Sequence, residues 1–189
     1  MHALADYIRV YENALAPDFC SRLIAGFEQA TDQQRRNGKG VRAGLEESAW
    51  TELNVGQLGD QAFLGFFLAQ IERYLERYNQ DVALGIPIPL RPRTDRLTIK
   101  RYRPGGDESF QPHFDSIDVV SARYLVFLWY LNDVAEGGET EFCDLGIRIA
   151  PRTGRLLMFP PYWMYQHAGR PPVSGDKYIL STYLMFPTA

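Results

Sequence analysis

Apolar residues in the first ninety positions recur with the period of an α-helix in two places. Positions 17–30 carry one such face, with Pro17 in the first turn, where proline suits a helix start. The apolar members of this face are Cys20, Leu23, Ile24 and Phe27. A second face covers roughly positions 58–79, and its members are Leu64, Phe67, Leu68, Ile71, Leu75 and Tyr78. The pattern predicts two amphipathic helices that pack on a common core.

The segment between these helices has a different character. Its sequence over 35–44, RRNGKGVRAG, is rich in glycine and positive charge, which is typical of a mobile loop. A solvated connector is one interpretation. A lid over a site is the other, because long loops often carry function.

After the proline-rich break IPIPLRPR, the apolar period shifts from that of a helix to that of a strand. Short alternating segments follow at 96–102, 124–131, 139–142, 147–150, 155–159, 165–167 and 177–186, separated by turn sequences such as PGGD, EGG and PRTG. Many short strands with regular turns are typical of a β-sandwich or barrel. We therefore expect a mainly β fold with N-terminal helices.

Composition narrows the classes of partner. The chain has 189 residues, of which 46% are hydrophobic and 23% charged, and this suits one globular domain with a sizeable core. Twenty Lys and Arg against 23 Asp and Glu give a net charge of −3, so we expect no general attraction to nucleic acid or acidic membranes. Neither a signal peptide nor a bilayer-spanning segment is visible.

The two cysteines, Cys20 and Cys143, lie far apart and have no neighbouring Cys or His at metal-ligand spacing. This usage favours a reducing compartment, the cytoplasm, although a single disulfide stays open.

Two of the three histidines are candidate metal ligands. In the stretch SFQPHFDS, His113 and Asp115 are two positions apart, so in a strand they would share one face and could reach a single cation. His167 is the remaining candidate inside the fold, and two histidines with one carboxylate form the ligand set of non-haem Fe(II) oxygenases. The alternative is a structural histidine beside a turn aspartate, since a lone His-x-Asp pair is common by chance.

A lysine on an apolar strand is the second unusual feature. On the strand predicted at 177–186, Lys177 shares a face with Ile179, Ser181 and Tyr183, and both faces are largely apolar. A buried ammonium is costly unless it meets an anion, such as a ligand carboxylate. The alternative is a lysine at a strand edge that reaches solvent.

From about residue 95 to 187, the chain resembles the Fe(II)/2-oxoglutarate-dependent dioxygenase domain of the prolyl 4-hydroxylase type. Four segments carry this resemblance in the same order: IKRYRPGGDESFQPHFDS, YLVFLWYLNDVAEGGETEF, APRTGRLLMF and HAGRPPVSGDKYIL. The family's fold is a double-stranded β-helix, a jelly-roll core. The resemblance implies a helical support region over 1–90 packed on a jelly-roll domain over 91–189, the two forming one compact unit.

The resemblance also assigns roles to residues of this chain. The implied iron ligands are His113, Asp115 and His167. The implied cosubstrate-binding residues are Lys177 for the distal carboxylate of 2-oxoglutarate, Tyr102, Tyr130 and Thr140. Without the resemblance, the face that carries Tyr130 reads as plain core.

The implied activity is hydroxylation of a C–H bond with Fe(II), 2-oxoglutarate and O2, with ascorbate as a reductant and with release of succinate and CO2. The resemblance favours a prolyl residue in a protein or peptide. Two alternatives stay open: the same chemistry on a free amino acid, a small molecule or a nucleic acid, and a non-enzymatic metal-binding jelly roll. We expect the substrate to lie on the loops at 31–50 and 103–111.

Six positive charges fall within positions 91–103, at Arg91, Arg93, Arg96, Lys100, Arg101 and Arg103. A solvated strand edge is the simpler interpretation, because the whole chain is acidic. A groove for nucleic acid or an acidic protein is the other. Nucleic acid is not the expected partner, since repair-type relatives carry a pair of arginines after the distal histidine and this chain has PVSGDK.

Overall fold

The computed structural model describes residues 2–187 as two long helices and twelve strands. In chain order these are β1 (Arg9–Tyr11), α1 (Pro17–Gln29), β2 (Arg35–Gly38), β3 (Ala49–Asn54), α2 (Gln61–Val82), β4 (Arg93–Thr94), β5 (Thr98–Tyr102), β6 (Phe110–His113), β7 (Arg123–Tyr130), β8 (Thr140–Phe142), β9 (Ile147–Ile149), β10 (Leu156–Phe159), β11 (His167–Gly169) and β12 (Lys177–Met185). The expected mainly β fold with N-terminal helices is confirmed.

The strands form two antiparallel sheets. The large sheet has the order β1-β10-β7-β12-β5-β3-β2, with β4 paired to the end of β12. The small sheet has the order β6-β11-β8-β9. Both sheets contribute side chains to one cavity. This is the jelly-roll arrangement.

Strand alternation gives the large sheet two different faces. On β12, Tyr178, Leu180 and Leu184 join the core cluster that also contains the buried faces of both helices. The intervening residues Ile179 and Tyr183 belong to a second cluster on the cavity side. The helices therefore cover the outer face of the sheet, and the inner face lines the cavity.

The two helices agree with the helical periodicity. Helix α1 begins at Pro17 as predicted. Helix α2 begins and ends three residues later in the sequence than expected. The start of α2 is fixed by the Asp60 carboxylate, which accepts a hydrogen bond of 2.8 Å from the backbone N–H of Phe63. Its end is the left-handed residue Ala83, with φ 51°.

The N-terminal region also contains strands that periodicity did not reveal. Strand β3 pairs with β5, and β2 pairs with β3, so that part of the predicted loop at 35–44 is an edge strand. Strand β1 pairs with β10 at the opposite edge. The N-terminal region therefore contains strands in addition to the expected helices, and these strands extend the large sheet at both edges.

One smaller expectation also needs correction. The predicted strand at 165–167 begins only at His167, and Trp163–Tyr165 forms a single 3-10 turn before it. Both cysteines are free, so they form no disulfide. Within residues 2–187, no helix combines the length and the apolar character that a bilayer crossing requires.

Candidate metal centre

The pairing of two strands in the small sheet brings two distant histidines together. His167, the first residue of β11, lies opposite His113, the last residue of β6, and the ring centroids are 4.3 Å apart. Asp115 follows just beyond the end of β6, where its backbone N–H donates a hydrogen bond of 3.0 Å to the carbonyl of Pro161. The expectation that Asp115 continues the strand is wrong, because this bend, rather than strand alternation, directs its carboxylate.

The three side chains aim their metal-binding atoms at one point. Nε2 of His113 lies 3.4 Å from Oδ1 of Asp115, and Nε2 of His167 lies 3.4 Å from Oδ2. The Nδ1–H of each ring donates to a backbone carbonyl two residues earlier, that of Gln111 at 2.8 Å and that of Tyr165 at 3.0 Å. With Nδ1–H held by a carbonyl, a ring in its neutral form turns the lone pair of Nε2 towards the carboxylate, as a metal ligand requires.

Such convergence of lone pairs and a carboxylate is favourable only around a cation. The three ligand atoms lie within 4.8 Å of one another, in the one cluster of its kind that residues 2–187 contain. Burial and the facing His167 lower the pKa of His113, which favours the neutral form that binds metal. Burial acts against ionisation of Asp115, but hydrogen bonds and charge attraction from the imidazoles, in their protonated form, hold its pKa well below the usual value. Two imidazoles and one carboxylate fit Fe(II).

A tyrosine that the sequence did not single out supports the carboxylate. The hydroxyl of Tyr183 donates a hydrogen bond of 3.2 Å to Oδ1 of Asp115. Tyr183 is on the same face of β12 as Lys177, and that shared face is the signal that could have identified it.

Lys177 is buried inside the cavity. The residue is 2% exposed, so the alternative in which it reaches solvent is wrong. Its Nζ lies over the rings of Tyr102, at 5.3 Å, and Tyr130, at 5.8 Å, and no carboxylate of residues 2–187 forms an ion pair with it. Burial lowers the pKa of Lys177 to about 7. A bound carboxylate would satisfy this ammonium.

The remaining predicted pocket residues occupy two layers. Tyr102, paired with Lys177 in the register of β5 and β12, lines the cavity, and so does Thr140. Tyr130 lies behind Thr140, where its hydroxyl donates a hydrogen bond of 2.7 Å to Oγ1 of Thr140. Burial raises the pKa of both tyrosines, which therefore remain neutral donors. In this arrangement the Tyr130 hydroxyl positions Thr140, and the ring lies beneath the Lys177 ammonium.

The basic residues at 91–103 do not form a single surface. Adjacent positions on β5 face opposite sides, so Lys100 lines the cavity while Arg101 is buried against α1 and pairs with Glu28 at 2.7 Å. The other four remain partly or fully exposed. The interpretation of this cluster as a solvated strand edge is therefore wrong for Lys100 and Arg101.

Comparison with known proteins shows what the part of the chain that carries this site is similar to. Residues 97–185 match the family model of the 2OG-Fe(II) oxygenase superfamily, where 2OG denotes 2-oxoglutarate. A putative prolyl 4-hydroxylase of Acanthamoeba polyphaga mimivirus is 30% identical over 106 residues, which cover 46% of this chain and 43% of that protein. The probable prolyl 4-hydroxylase 11 of Arabidopsis thaliana is 32% identical over 99 residues, which cover 48% of this chain and 34% of that protein. The chain thus spans less than half the length of either relative.

Solved structures share the fold over nearly the whole chain. The viral collagen prolyl hydroxylase of Paramecium Bursaria Chlorella virus-1, in its 2OG complex, has a TM-score of 0.65 at 19% identity, covering 96% of this chain and 97% of that chain. A prolyl hydroxylase of Trichoplax adhaerens, in complex with a hypoxia inducible factor peptide fragment, has a TM-score of 0.73 at 16% identity, covering 95% and 84%. At these identities, the likeness establishes the fold.

Proposed function

We propose that this chain, whose residues 97–185 belong to the 2OG-Fe(II) oxygenase superfamily and are of the prolyl 4-hydroxylase type, hydroxylates a prolyl residue in a protein or peptide. One observation carries the proposal: three metal-ligand atoms converge in a cavity that also holds a buried ammonium without an ion-pair partner.

The proposed metal ligands are His113, Asp115 and His167. When bound, Fe(II) and 2-oxoglutarate supply oxidative decarboxylation by O2, which yields succinate and CO2 and inserts one oxygen atom into a C–H bond. The protein holds both imidazoles by hydrogen bonds to backbone carbonyls and supports the carboxylate through Tyr183. Three ligands leave open positions for the cosubstrates.

Lys177 is the proposed partner of the distal carboxylate of 2-oxoglutarate. Its ammonium is buried in the cavity that the metal ligands also line, and in this end of the cavity Tyr102, its partner in the strand register, offers a phenol, while Thr140 offers a hydroxyl to the same cavity. Charge-assisted hydrogen bonds in such a dry site are strong, so this end of the cavity orients the cosubstrate. The relatives named prolyl 4-hydroxylases support prolyl residues as the substrate class.

The test uses purified protein with Fe(II), ascorbate and 2-oxoglutarate, and two peptides that differ only by Pro or Ala at one position. We expect succinate formation to rise with the proline peptide, and mass spectrometry to find one added oxygen on that proline. An oxygenated product found only with free amino acids, small molecules or oligonucleotides would replace the peptide assignment. Without an absorption band when 2-oxoglutarate is added anaerobically to the Fe(II) protein, the chain would be a non-enzymatic metal-binding module.

We further propose a cytoplasmic location and a protein, peptide or small-molecule partner rather than nucleic acid. The two free thiols of Cys20 and Cys143 suit a reducing compartment. The net charge of −3 gives no general attraction to phosphate backbones.

A further inference from the structure

Lysine is scarce in this chain, and its distribution is uneven. The sequence has three lysines, at positions 39, 100 and 177, among twenty basic residues. Lys39 is exposed on the loop after β2, whereas Lys100 and Lys177 line the same cavity. The proposed function uses Lys177 and leaves Lys100 without a role.

Lys100 lies on the metal side of the cavity. It shares a face of β5 with Tyr102. In the register of β5 and β12, Tyr102 lies opposite Lys177 and Lys100 lies opposite Ile179. The two lysines are therefore separated by two residues along the strands, a distance of about 6.8 Å. Its Nζ lies 5.3 Å from the ring of Trp50 and 5.4 Å from the ring of Phe110. Phe110 in turn stacks on His113, with ring centroids 3.7 Å apart.

The charges around Lys100 leave its ammonium without a dedicated partner. Among residues 2–187, it forms neither an ion pair nor a hydrogen bond. Glu52 accepts a hydrogen bond of 2.6 Å from the indole N–H of Trp50, and Asp115 belongs to the metal-ligand set. Arg123, another cation nearby, differs because it already pairs with Asp95 at 2.6 Å. Lys100 is half-buried, and an ammonium in such a place that lacks an ion pair is stabilised when it meets an anion.

The position of Lys100 indicates which anion would reach it. Lys100 lines both the inner cavity and the wider cleft outside it, which Arg42 and Arg96 also line. Under the proposed function, Lys177 binds the far carboxylate of the cosubstrate, and the metal binds the near one. An anionic group that enters from the cleft side therefore belongs to the substrate.

Resting on that proposed function, we propose that Lys100 is a specificity-determining residue that binds a carboxylate adjacent to the reacting carbon of the substrate. The carboxylate is either an acidic side chain beside the target residue of a peptide or the main-chain carboxylate of a terminal or free amino acid. A neutral peptide offers Lys100 no such partner and binds less tightly.

The experiment measures binding, so that it does not depend on turnover. Calorimetry on the protein loaded with Mn(II) and 2-oxoglutarate would use a blocked proline peptide with Asp beside the proline, the same peptide with Asn, a peptide ending in a proline carboxylate, and free proline. The variants are Lys100→Met, which keeps the packing beneath Trp50, Lys100→Arg, which keeps the charge, and Arg73→Met, which removes an exposed positive charge on α2, outside the cavity and the candidate substrate loops. Thermal unfolding checks that each variant is folded.

We expect wild-type protein to bind at least one carboxylate ligand more tightly than the neutral peptide. Lys100→Met should lower the affinity for that ligand by about ten- to hundredfold. Binding of the neutral peptide should change less than about twofold. Lys100→Arg should retain most of the preference for the carboxylate ligand, and Arg73→Met should retain all of it. Equal weakening of acidic and neutral peptides would indicate a structural role and overturn the inference. So would the absence of any wild-type preference, or a loss confined to 2-oxoglutarate affinity. A preference that depends on Lys100 in a protein without hydroxylase activity would sustain the inference while the proposed function fails.

Discussion

His113 and His167 stand directly opposite each other on neighbouring antiparallel strands, with ring centroids 4.3 Å apart. Paired residues in such a ladder project to the same side of the sheet, so the strand register itself brings both rings to one point. Hydrogen bonds from the two Nδ1–H groups to the carbonyls of Gln111 and Tyr165 then fix which nitrogen faces the metal site. The backbone thereby preorganises two of the three ligands.

The third ligand is where the centre can be weakened with the least disturbance. Asp115→Asn keeps the size of the side chain and the backbone hydrogen bond to Pro161 but removes the negative charge. We expect affinity for Mn(II), used as a stand-in for Fe(II), to fall by about a hundredfold or more. Calorimetric metal titration measures this loss. Asp118→Asn, a nearby carboxylate outside the ligand cluster, is the control, and equal metal affinity in the two variants would contradict the assignment.

Replacing Lys177 should change affinity and stability in opposite directions. Lys177→Met keeps the length of the side chain but removes a buried ammonium that has no ion-pair partner. Without ligand, we expect the free energy of unfolding to rise by roughly 1–3 kcal/mol at neutral pH. Affinity for 2-oxoglutarate should fall by about ten- to hundredfold, because the charge-assisted hydrogen bond is lost. Chemical unfolding and calorimetry measure the two effects.

Lys39→Met is the matched control for Lys177→Met, since Lys39 is exposed and does not line the cavity that holds Lys177. It should alter neither quantity. If Lys177→Met lowered stability and left cosubstrate affinity intact, Lys177 would be a packing residue and its proposed role would be wrong.

The depressed pKa of Lys177 also predicts a pH dependence. Burial lowers that pKa to about 7 in the empty cavity, and a bound carboxylate raises it again. Below that pH the ammonium already exists, so cosubstrate binding requires no proton. Above it, binding takes up close to one proton, and affinity declines by about tenfold per pH unit.

Calorimetry of 2-oxoglutarate binding to the Mn(II) protein, in two buffers of different ionisation enthalpy, measures this proton uptake. We expect uptake about one unit above pH 7 and little about one unit below. Lys177→Met should abolish the difference between the two pH values. Proton release at the higher pH would reverse the predicted sign and remove Lys177 as its source.

The β core was predictable from sequence because its strands alternate clearly and are bounded by turn residues. Segment 177–186 illustrates this, since both its extent and its two faces agree with β12. The metal-ligand cluster was predictable because a His-x-Asp pair and a distant histidine occur in a known order. Strand alternation correctly predicted that His113 and Asp115 lie close together, but the reason was partly wrong. Strand β6 ends at His113, and a bend after it places Asp115.

The strands of the N-terminal region could not be predicted, because their partners are distant in sequence. Strand β1 is only three residues long, and its partner β10 begins at Leu156. The separate roles of Lys100 and Arg101 were hidden for the same reason, since only the register shows which face of β5 meets the cavity. The division of the chain at residue 90 stays a prediction.

Substitutions of two glycines test how firmly the N-terminal segment packs against the core. Gly154 has φ +75°, and a Cβ there would lie 2.2 Å from the carbonyl oxygen of Leu15. That same glycine donates a hydrogen bond to the Tyr130 carbonyl and accepts two, from the N–H groups of Ala14 and Leu15. Gly154→Ala therefore adds a backbone clash to left-handed strain, and we expect it to lower the free energy of unfolding by about 3–4 kcal/mol.

Gly146 is the matched control, because its φ of +64° carries similar strain but a Cβ there meets nothing within 4 Å. Gly146→Ala should cost only about 1–2 kcal/mol, the strain alone. Denaturant unfolding of both variants measures the difference. Because Gly154 hydrogen-bonds the backbone of Tyr130, which positions Thr140, Gly154→Ala should also weaken 2-oxoglutarate binding well below its unfolding temperature. Equal destabilisation by the two substitutions would show that the chain near Leu15 moves aside, and that the N-terminal segment is not held rigidly against the turn between β9 and β10.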